Sequence, residues 1–179
     1  MSRRSLIKYS FSLAIVLATV LAHAAAGGLL SLLPACNVVR GWVIVAGADK
    51  QAATTQAMYS LYDGAVPSML KDGITSAAQR VYRDGTGRLT VDIFRFSSPG
   101  KAMAYYARRK AEIRACSAFG AITGLSQGGV TATSGRTTIG YAWNKGYCTS
   151  LSVNSTTAAD QEAVRRMARH INGKIGALK

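Results

Sequence analysis

The alternation of apolar and polar residues predicts a helix followed by two long strands in the middle of the chain. Residues 56–70 carry apolar side chains at helical spacing, and Pro67 predicts a break because proline cannot continue an interior hydrogen-bond ladder. Residues 74–82 and 88–96 contain β-branched and aromatic residues in the pattern of strands. Asp84-Gly85-Thr86-Gly87 between them is typical of a hairpin loop.

The second half of the chain predicts two more helices and several short strands. Ser98 suits a helix cap and Pro99 a first turn, so a helix is predicted from there to Arg114. A final helix is predicted from a cap at Thr156 or Thr157 to a point between residues 174 and 179. Further strands are predicted at 38–45, 125–133, 137–143 and 147–153.

These elements predict the fold class. Consecutive strands joined by tight turns pair antiparallel, so we expect an α+β domain with a mainly antiparallel sheet of about five to six strands. Three helices are expected to pack on one face of this sheet. An N-terminal hydrophobic segment precedes the domain, which is expected to cover residues 25–179 without an internal boundary.

The composition is that of a folded and strongly basic protein. The chain has 179 residues, of which 49% are hydrophobic, and this is enough for one domain with a sizeable core. It has 22 Lys and Arg against 8 Asp and Glu, giving a net charge of +14. Such a charge favours anionic partners without saying which anion is bound.

Residues 1–24 have the pattern of an export signal. A basic start, an apolar run from Phe11 to Leu21 and the small residues of Ala22-His23-Ala24 predict a signal peptide cut after Ala24. Its removal takes away three basic residues and lowers the net charge by three, to +11. The alternative is an inner-membrane anchor extending to about residue 34, since Phe11 to Leu33 is long enough to span a bilayer.

The segment from Ser2 to Lys8 also resembles the twin-arginine export motif, Ser-Arg-Arg-x-Phe-Leu-Lys. Arg3 and Arg4 are the paired arginines, and Leu6 and Ile7 keep the apolar character of the motif. The resemblance implies a bacterial protein that crosses the membrane already folded, with the export machinery as a partner and the periplasm or cell envelope as its location. Ordinary Sec signals also carry two basic residues, so both routes stay open.

The cysteines are Cys36, Cys116 and Cys148. In an oxidising compartment an odd number needs an explanation. Leu33-Pro34-Ala35-Cys36 is similar to a lipobox, the site at which bacterial lipoproteins are cleaved and acylated, and lipidation of Cys36 leaves Cys116 and Cys148 to form a disulfide. The alternatives are a free or buried thiol at Cys36 and two ordinary core thiols at the other positions.

Candidate catalytic chemistry is sparse. Asp63, Asp72 and Asp92 lie in the central stretch, where two of them as acid and base would suit a hydrolase-type enzyme. Asp63 and Asp72 precede glycine, which is typical of turns, and Asp92 is expected to face solvent or to pair with arginine. After export, His170 is the one histidine left. The spacings of zinc sites and glycine-rich phosphate loops are absent from the sequence, so no catalytic residue, metal or cofactor is predicted.

Two predicted helices carry basic faces, which are the candidate binding surfaces. Their residues are Arg108, Arg109, Arg114, Arg165, Arg166, Arg169 and Lys174. Outside the cytoplasm the candidate partners are anionic lipid, cell-wall polymer or an acidic protein. Two solvated faces of a basic protein are the alternative. Nucleic acid is disfavoured because no recognisable DNA- or RNA-binding module is present.

Several short motifs between residues 29 and 175 together resemble one family. They are Leu32-Leu33-Pro34, Gly41-Trp42, Leu61-Tyr62-Asp63-Gly64-Ala65, Leu70, Gly73, Val91-Asp92-Ile93-Phe94, Ser98-Pro99 and the stretch from Ala102 to Tyr106. The family they resemble consists of exported bacterial proteins and is catalogued as domain of unknown function 6599. Its Leu-Tyr-x-x-x-Asp-Gly-x-Ala segment is shortened here to Leu-Tyr-Asp-Gly-Ala. The resemblance implies an exported single domain, and it lends no catalytic residues because the family has no established activity.

The sequence therefore favours an exported, envelope-associated binding module with an anionic partner. A hydrolase-type enzyme that uses Asp63, Asp72 or Asp92 is one alternative. A cytosolic nucleic-acid binder is the other, and it requires that residues 1–24 persist in a soluble protein.

Overall fold

The structure, a computed structural model, describes residues 28–85 and 87–178, and the predicted signal segment with Arg3 and Arg4 lies outside the described residues. The described chain forms an antiparallel sheet with helices packed against it, which confirms the predicted α+β class. Within the described residues the sheet has eight strands instead of five to six, and four α-helices are present instead of three, besides the helical residues 28–32.

The elements have the following bounds. The strands are β1 (Val43–Ile44), β2 (Lys50–Ala52), β3 (Ile74–Asp84), β4 (Gly87–Phe96), β5 (Ser117–Ala121), β6 (Gly128–Ser134), β7 (Thr137–Asn144) and β8 (Tyr147–Val153). The α-helices are α1 (Thr55–Tyr62), α2 (Val66–Lys71), α3 (Pro99–Ile113) and α4 (Ala158–Gly176). A 3₁₀ turn at Asp63–Ala65 joins α1 to α2, and residues 28–32 are helical.

The extra helix and strands have local causes. The predicted helix over 56–70 is divided because Asp63 has a φ of +43°, and Pro67 lies in the first turn of α2, where its missing N–H costs little. The apolar run over 38–45 is mostly a turn, in which Trp42 N donates to Val39 O at 3.1 Å, so only β1 pairs with the sheet. β2 and β5 are short and lack the apolar alternation that marks a strand.

The sheet has the strand order β1-β3-β4-β8-β7-β6-β5, and β2 also pairs with β3. All pairs are antiparallel. β4 and β8 are neighbours in the centre although α3 and three strands separate them in sequence. The long hairpins β3–β4 and β7–β8 therefore form the middle of the sheet, and the shorter strands lie at its edges.

The helices cover both faces of the sheet, which corrects the prediction that they pack on one. Alternate residues of β4 point to opposite faces. Leu89, Val91 and Ile93 join one core cluster with the apolar stripe of α4. Phe94 and Phe96 join a second cluster with residues of α1, α2 and α3. We call these two sides the α4 face and the α3 face.

Close packing of α4 depends on a glycine in the sheet. Gly140 of β7 lies below the helix, and a Cβ at this position would be 2.6 Å from Val164 Cγ1. No side-chain atom fits at that distance, so α4 can approach β7 only because residue 140 has no Cβ. Val164, Met167, Ala168 and Ile171 are fully buried against the sheet as a result.

The segment that precedes Cys36 belongs to the folded domain. Leu29, Leu32 and Leu33 are buried in the cluster of the α4 face. The carbonyl of Pro34 accepts hydrogen bonds from Tyr82 Oη at 2.7 Å and from an Arg80 nitrogen at 3.0 Å. An anchor that reached to about residue 34 would withdraw these leucines from the core, and cleavage before Cys36 would remove them.

Among the described residues, no helix combines the length and the apolar character that a membrane span needs.

We expect Leu33→Ala to lower the free energy of unfolding by about 2–5 kcal/mol, because Leu33 is 1% exposed and its truncation leaves a cavity. Leu70→Ala is the matched control, since Leu70 is 39% exposed and its truncation is expected to change stability by about 0.5 kcal/mol or less. Urea unfolding of residues 25–179 measures both. Equal effects of the two substitutions would show that the segment before Cys36 is not part of the core.

A chain that begins at Cys36, as lipobox cleavage produces, lacks all three buried leucines. We expect it to lose cooperative unfolding or to unfold at a much lower urea concentration than residues 25–179. If it unfolds at the same urea concentration, the structural objection to lipidation of Cys36 is removed.

Candidate functional site

A groove of about 500 Å³ lies between α3 and the loop of residues 122–127, at the end of β6 and β7. Ser98 positions α3, because its hydroxyl accepts a hydrogen bond from Lys101 N at 3.3 Å and Pro99 forms the first turn, as predicted. Tyr106 and Lys110 of α3 form one wall of the groove. Its volume lies within the range of small-molecule sites.

The floor of the groove combines glycine with two aromatic side chains. Gly128 of β6 is the cross-strand partner of Trp143 in β7, so the indole ring lies over the glycine. A Cβ on Gly128 would be 3.0 Å from Trp143 Nε1 and 3.4 Å from Tyr106 Oη. The two rings pack with their centroids 6.3 Å apart. One N–H donor and one O–H group therefore lie next to the same small space.

The loop over the groove is fixed from the α4 face by a buried amide network. Ser126 Oγ donates to Asn172 Oδ1 at 3.0 Å, and Asn144 Nδ2 donates to Ser126 Oγ at 2.9 Å. Asn172 Nδ2 donates to the carbonyl of Trp143 at 3.1 Å. Arg169 of α4 adds a hydrogen bond from Nε to Thr123 O at 3.1 Å. The network thus holds both the loop and the backbone of the groove tryptophan.

The basic face predicted on α3 is partly neutralised by internal contacts. Arg108 donates two hydrogen bonds to Asp72, at 2.7 and 2.5 Å, and this contact lowers the pKa of Asp72. Arg109 is turned inward, where it lies 5.1 Å from the ring centre of Tyr141 and donates to its hydroxyl at 2.7 Å. Arg114 is exposed at the end of the helix.

The basic face predicted on α4 keeps an excess of positive charge. The helix begins at the cap Thr157, whose hydroxyl accepts from Asp160 N at 3.2 Å. Glu162 pairs with three arginines, and its distances to Arg165, Arg166 and Arg169 are 3.9, 3.3 and 3.2 Å. One negative charge is therefore shared among three positive charges, and this part of α4 keeps a net positive charge.

The seven predicted basic residues do not form one surface, because α3 and α4 cover opposite faces of the sheet. Lys174 lies further along α4, where it donates to Ser31 O at 2.8 Å and ties the helix to the N-terminal segment. Lys110 of α3 and Arg169 of α4 approach the same loop from its two sides.

The three candidate carboxylates have separate surroundings. Asp92 is not paired with arginine and does not face open solvent, which corrects the prediction. Its Oδ1 accepts hydrogen bonds from Tyr62 Oη at 2.9 Å and Gln79 Nε2 at 2.8 Å, and burial raises the pKa of Asp92. Asp72 is bound to Arg108, and Asp63 is exposed. No hydrogen-bond partner within the described residues is shared by any two of the three, so they do not form an acid and base pair.

The predicted disulfide is not formed in the structure. Cys148 is a buried thiol on the α3 face, and burial raises its pKa to about 12. Cys116 is a half-buried thiol packed against the same cluster, so both act as core residues. Cys36 is exposed and its Sγ accepts a hydrogen bond from Ile44 N at 3.5 Å. Residues 28–85 and 87–178 contain no group of three or more His, Cys, Asp or Glu placed to hold a metal ion.

Comparisons with known proteins give little beyond the structure itself. No protein-family model matches the chain, and no curated protein matches it. Among solved structures, it is similar to the extracellular domain of PknH from Mycobacterium tuberculosis, with 10% identity, a TM-score of 0.45, and coverage of 76% of this chain and 82% of that chain. A likeness at this level establishes neither a common ancestor nor a common ligand.

The sequence did not reveal the groove. Tyr106 and Trp143 were predicted only as parts of a helix and a strand, and Lys110 lies within the helix predicted from Ser98 to Arg114. The groove is assembled from α3, β6, β7 and the loop of residues 122–127, which are separated in the sequence. The one local signal is the pair Gly128-Gly129 inside an apolar strand, because glycine in a strand often marks a close approach of other atoms.

We expect Asp92→Asn to change the pH dependence of stability. The raised pKa of Asp92 means that the folded state binds a proton more tightly than the unfolded state, so the stabilisation is present below the ordinary value of 3.8 and is lost as pH rises through the folded pKa. The asparagine keeps the acceptor oxygen for Tyr62 and Gln79. The variant is therefore expected to gain stability relative to the wild type as pH rises. Urea unfolding of both proteins at a series of pH values, from below 3.8 upwards, measures the difference in the free energy of unfolding.

Asp72→Asn is the control with the opposite sign. The pKa of Asp72 is lowered by Arg108, so its stabilisation is present above the unfolded pKa and is lost as pH falls. Asp72→Asn is expected to lose stability relative to the wild type as pH rises. If the Asp92→Asn curve has the same slope as the Asp72→Asn curve, burial does not raise the pKa of Asp92.

Proposed function

We propose that the protein is an exported, envelope-associated binding module that holds an anionic partner at one edge of its sheet. Export is supported by the signal pattern of residues 1–24, with Arg3 and Arg4 as a twin-arginine pair, and by the resemblance to the exported family. The anionic character of the partner is supported by the excess of 22 basic over 8 acidic residues.

The observation that carries the proposal is the excess of positive charge on α4, whose Arg169 is bonded to the loop of residues 122–127, together with Lys110 of α3 on the other side of that loop. We call this region the basic edge and define it by Lys110, Arg165, Arg166 and Arg169. Glu162 is the only acid in an ion pair with these residues among those described, so they retain a net positive charge. Arg166 has 59% of its side chain exposed, and Lys110 is exposed as well.

The basic edge adjoins a loop that hydrogen bonds hold in place. Arg169 is fixed to the loop through Thr123, and the loop is fixed to α4 through Asn172. Cationic groups on a fixed framework lose less conformational entropy when they bind an anion than cationic groups on free chains do. Anionic lipid, an anionic cell-wall polymer and an acidic protein surface all present the charge that such an edge attracts.

The hydrolase alternative lacks a comparable observation. Its three carboxylates have separate partners within the described residues, and Asp72 is neutralised by Arg108. The groove, in contrast, presents donors and a cation rather than an acid and base pair.

We expect the combined substitutions Arg165→Gln, Arg166→Gln and Arg169→Gln to weaken binding to anionic probes. Each arginine near an anionic surface contributes about 1 kcal/mol, so loss of three lowers affinity about hundred-fold. The probes are phosphatidylglycerol vesicles, soluble polyphosphate and polyglutamate, which represent the three partner classes. Binding is measured by co-sedimentation or fluorescence at increasing salt, which should weaken it.

The matched control removes three arginines elsewhere, with Arg83→Gln, Arg88→Gln and Arg95→Gln. These residues are exposed on β3 and β4, and the control changes the net charge by the same amount. If both triple variants lose affinity equally, binding reflects net charge and the basic edge is not the site. If the wild type binds none of the three probes, the proposed function is wrong.

A further inference from the structure

We propose that the α3 face carries a binding site for a neutral oligosaccharide, in which hydroxyl groups of a sugar ring exchange hydrogen bonds with polar side chains of the two central strands. We call these side chains the polar patch and define it by Thr90 and Asp92 of β4 and Ser150 and Ser152 of β8. The inference goes beyond the proposed function, because α4, which carries most of the basic edge, covers the opposite face of the sheet.

The register of the sheet brings the four side chains together. Asp92 pairs with Ser150, and Thr90 pairs with Ser152. Paired residues point to the same face of a sheet, and so do residues two positions apart on one strand. The Cβ atoms of the patch therefore mark a rectangle of about 5 Å across the strands and about 7 Å along them. Phe94 continues the same alternation from Asp92, so the patch lies on the α3 face.

The polar character is confined to one side of these strands. On the α4 face, the neighbouring residues of the same strands are apolar and buried, namely Leu89, Val91, Leu151 and Val153. On the α3 face, helices cover β4 at Phe94 and Phe96, whereas all four patch residues are only half-buried. The centre of the sheet thus stays partly open on this face, and it is polar where it is open.

The patch has unused hydrogen-bonding capacity within the described residues. Both hydrogen bonds that Asp92 accepts there, from Tyr62 and Gln79, fall on Oδ1, so Oδ2 is left as an acceptor. The three hydroxyls of the patch bond to no other group of the described chain, and they are not among its fully enclosed polar atoms. A ligand can therefore reach them. Tyr62 and Gln79 fix the carboxylate in advance, which lowers the entropy lost on binding.

The groups of the patch select a ligand with several hydroxyls. A serine or threonine hydroxyl both donates and accepts, and a carboxylate accepts. Sugar hydroxyls also donate and accept, so adjacent hydroxyls of one ring can satisfy the patch together. An anion would meet the carboxylate of Asp92 without a free cation beside it. Arg109 lies over Tyr141, the cross-strand partner of Ser150, and is already bonded to Tyr141 and Glu112.

An exposed aromatic side chain lies next to the patch. Tyr62, which donates to Asp92, has its ring fixed against Phe94 with the ring centres 5.7 Å apart. Tyr59 lies three residues earlier on α1 and is 42% exposed. Residues three apart are neighbours on one side of a helix. The C–H face of a sugar ring packs well on an aromatic ring, so Tyr59 offers a contact for a second ring of the same oligosaccharide.

The experiment is a titration of ¹⁵N-labelled residues 25–179 followed by the backbone amide signals. The probes are maltohexaose, cellohexaose and chitohexaose, and the controls are polyethylene glycol of similar mass and hexaglutamate. We expect at least one oligosaccharide to shift the signals of the four patch residues in a saturable way. Polyethylene glycol lacks hydroxyls along its chain and hexaglutamate is an anion, so neither is expected to shift these signals.

A double variant tests the hydroxyls. Ser150→Ala combined with Ser152→Ala is expected to weaken binding of the best oligosaccharide about ten-fold or more, because each lost hydrogen bond contributes about 1 kcal/mol. Ser134→Ala is the matched control, since Ser134 is an exposed serine of β6 outside the patch, and it is expected to bind as the wild type does.

Asp92→Asn separates a ligand contact from a structural role. Loss of a hydrogen bond to a charged group is expected to weaken binding about ten-fold or more at neutral pH. The same substitution is expected to gain stability as pH rises, because the pKa of Asp92 is raised by burial. Titration and urea unfolding at one pH measure both quantities. Affinity that falls while stability does not fall assigns Asp92 to the ligand, and unchanged affinity shows that the ligand does not contact it.

The outcomes separate this inference from the proposed function. If no oligosaccharide shifts the patch signals, or if polyethylene glycol shifts them as strongly, the saccharide site is wrong. If hexaglutamate is the probe that binds there, the patch holds an anion and the inference is wrong as well. If the double serine variant binds as tightly as the wild type, the oligosaccharide binds elsewhere. The triple arginine variant is expected to keep saccharide binding and the serine variant to keep vesicle binding, so either proposal can fail alone.

Discussion

The burial of β4 on both faces is the constraint on which the rest of the structure depends. Leu89, Val91 and Ile93 contribute to the core on one face, and Phe94 and Phe96 contribute to the core on the other. A sheet whose central strands are apolar on both sides needs other elements packed on both of its faces, since an uncovered face would expose a large apolar surface. The chain meets this requirement with α4 on one face and α1, α2 and α3 on the other. The N-terminal leucines complete the cover of the α4 face.

Features of the fold that depend on neighbouring residues could be predicted from the sequence, whereas features that depend on contacts between distant residues could not. Ser98-Pro99 and Thr157 act on the first turns of their own helices, so local residues were enough to place α3 and α4. The hairpin of β3 and β4 was also set by local turn residues. The second covered face was not foreseen, although the apolar residues on both sides of β4 were visible. A pattern shows that a strand is buried, but it does not show which later helix covers each face.

Charged and polar side chains were the hardest to place for the same reason. Arg109 looked like a solvated base beside Arg108, yet it packs on Tyr141, a residue 32 positions away in the sequence. Asp92 looked like a strand acid that needs solvent or an arginine, yet Tyr62 and Gln79 supply its hydrogen bonds. The hydrogen-bond partner of a half-buried polar group depends on which distant residues the fold brings next to it. Sequence patterns therefore identified the charged faces but not which charges stay free.

The groove is placed where the two covered faces meet at the end of β6 and β7. On the α3 face, Trp143 and Tyr106 present their polar atoms over Gly128, while on the α4 face Asn172 holds the carbonyl of the same tryptophan. The loop of residues 122–127 passes between these faces and is bonded to Arg169. Packing of α4 against Gly140 brings Asn172 within hydrogen-bond reach of β7, where it holds the backbone carbonyl of Trp143. The cover of the α4 face and the support that the groove receives from that face therefore depend on the same packing.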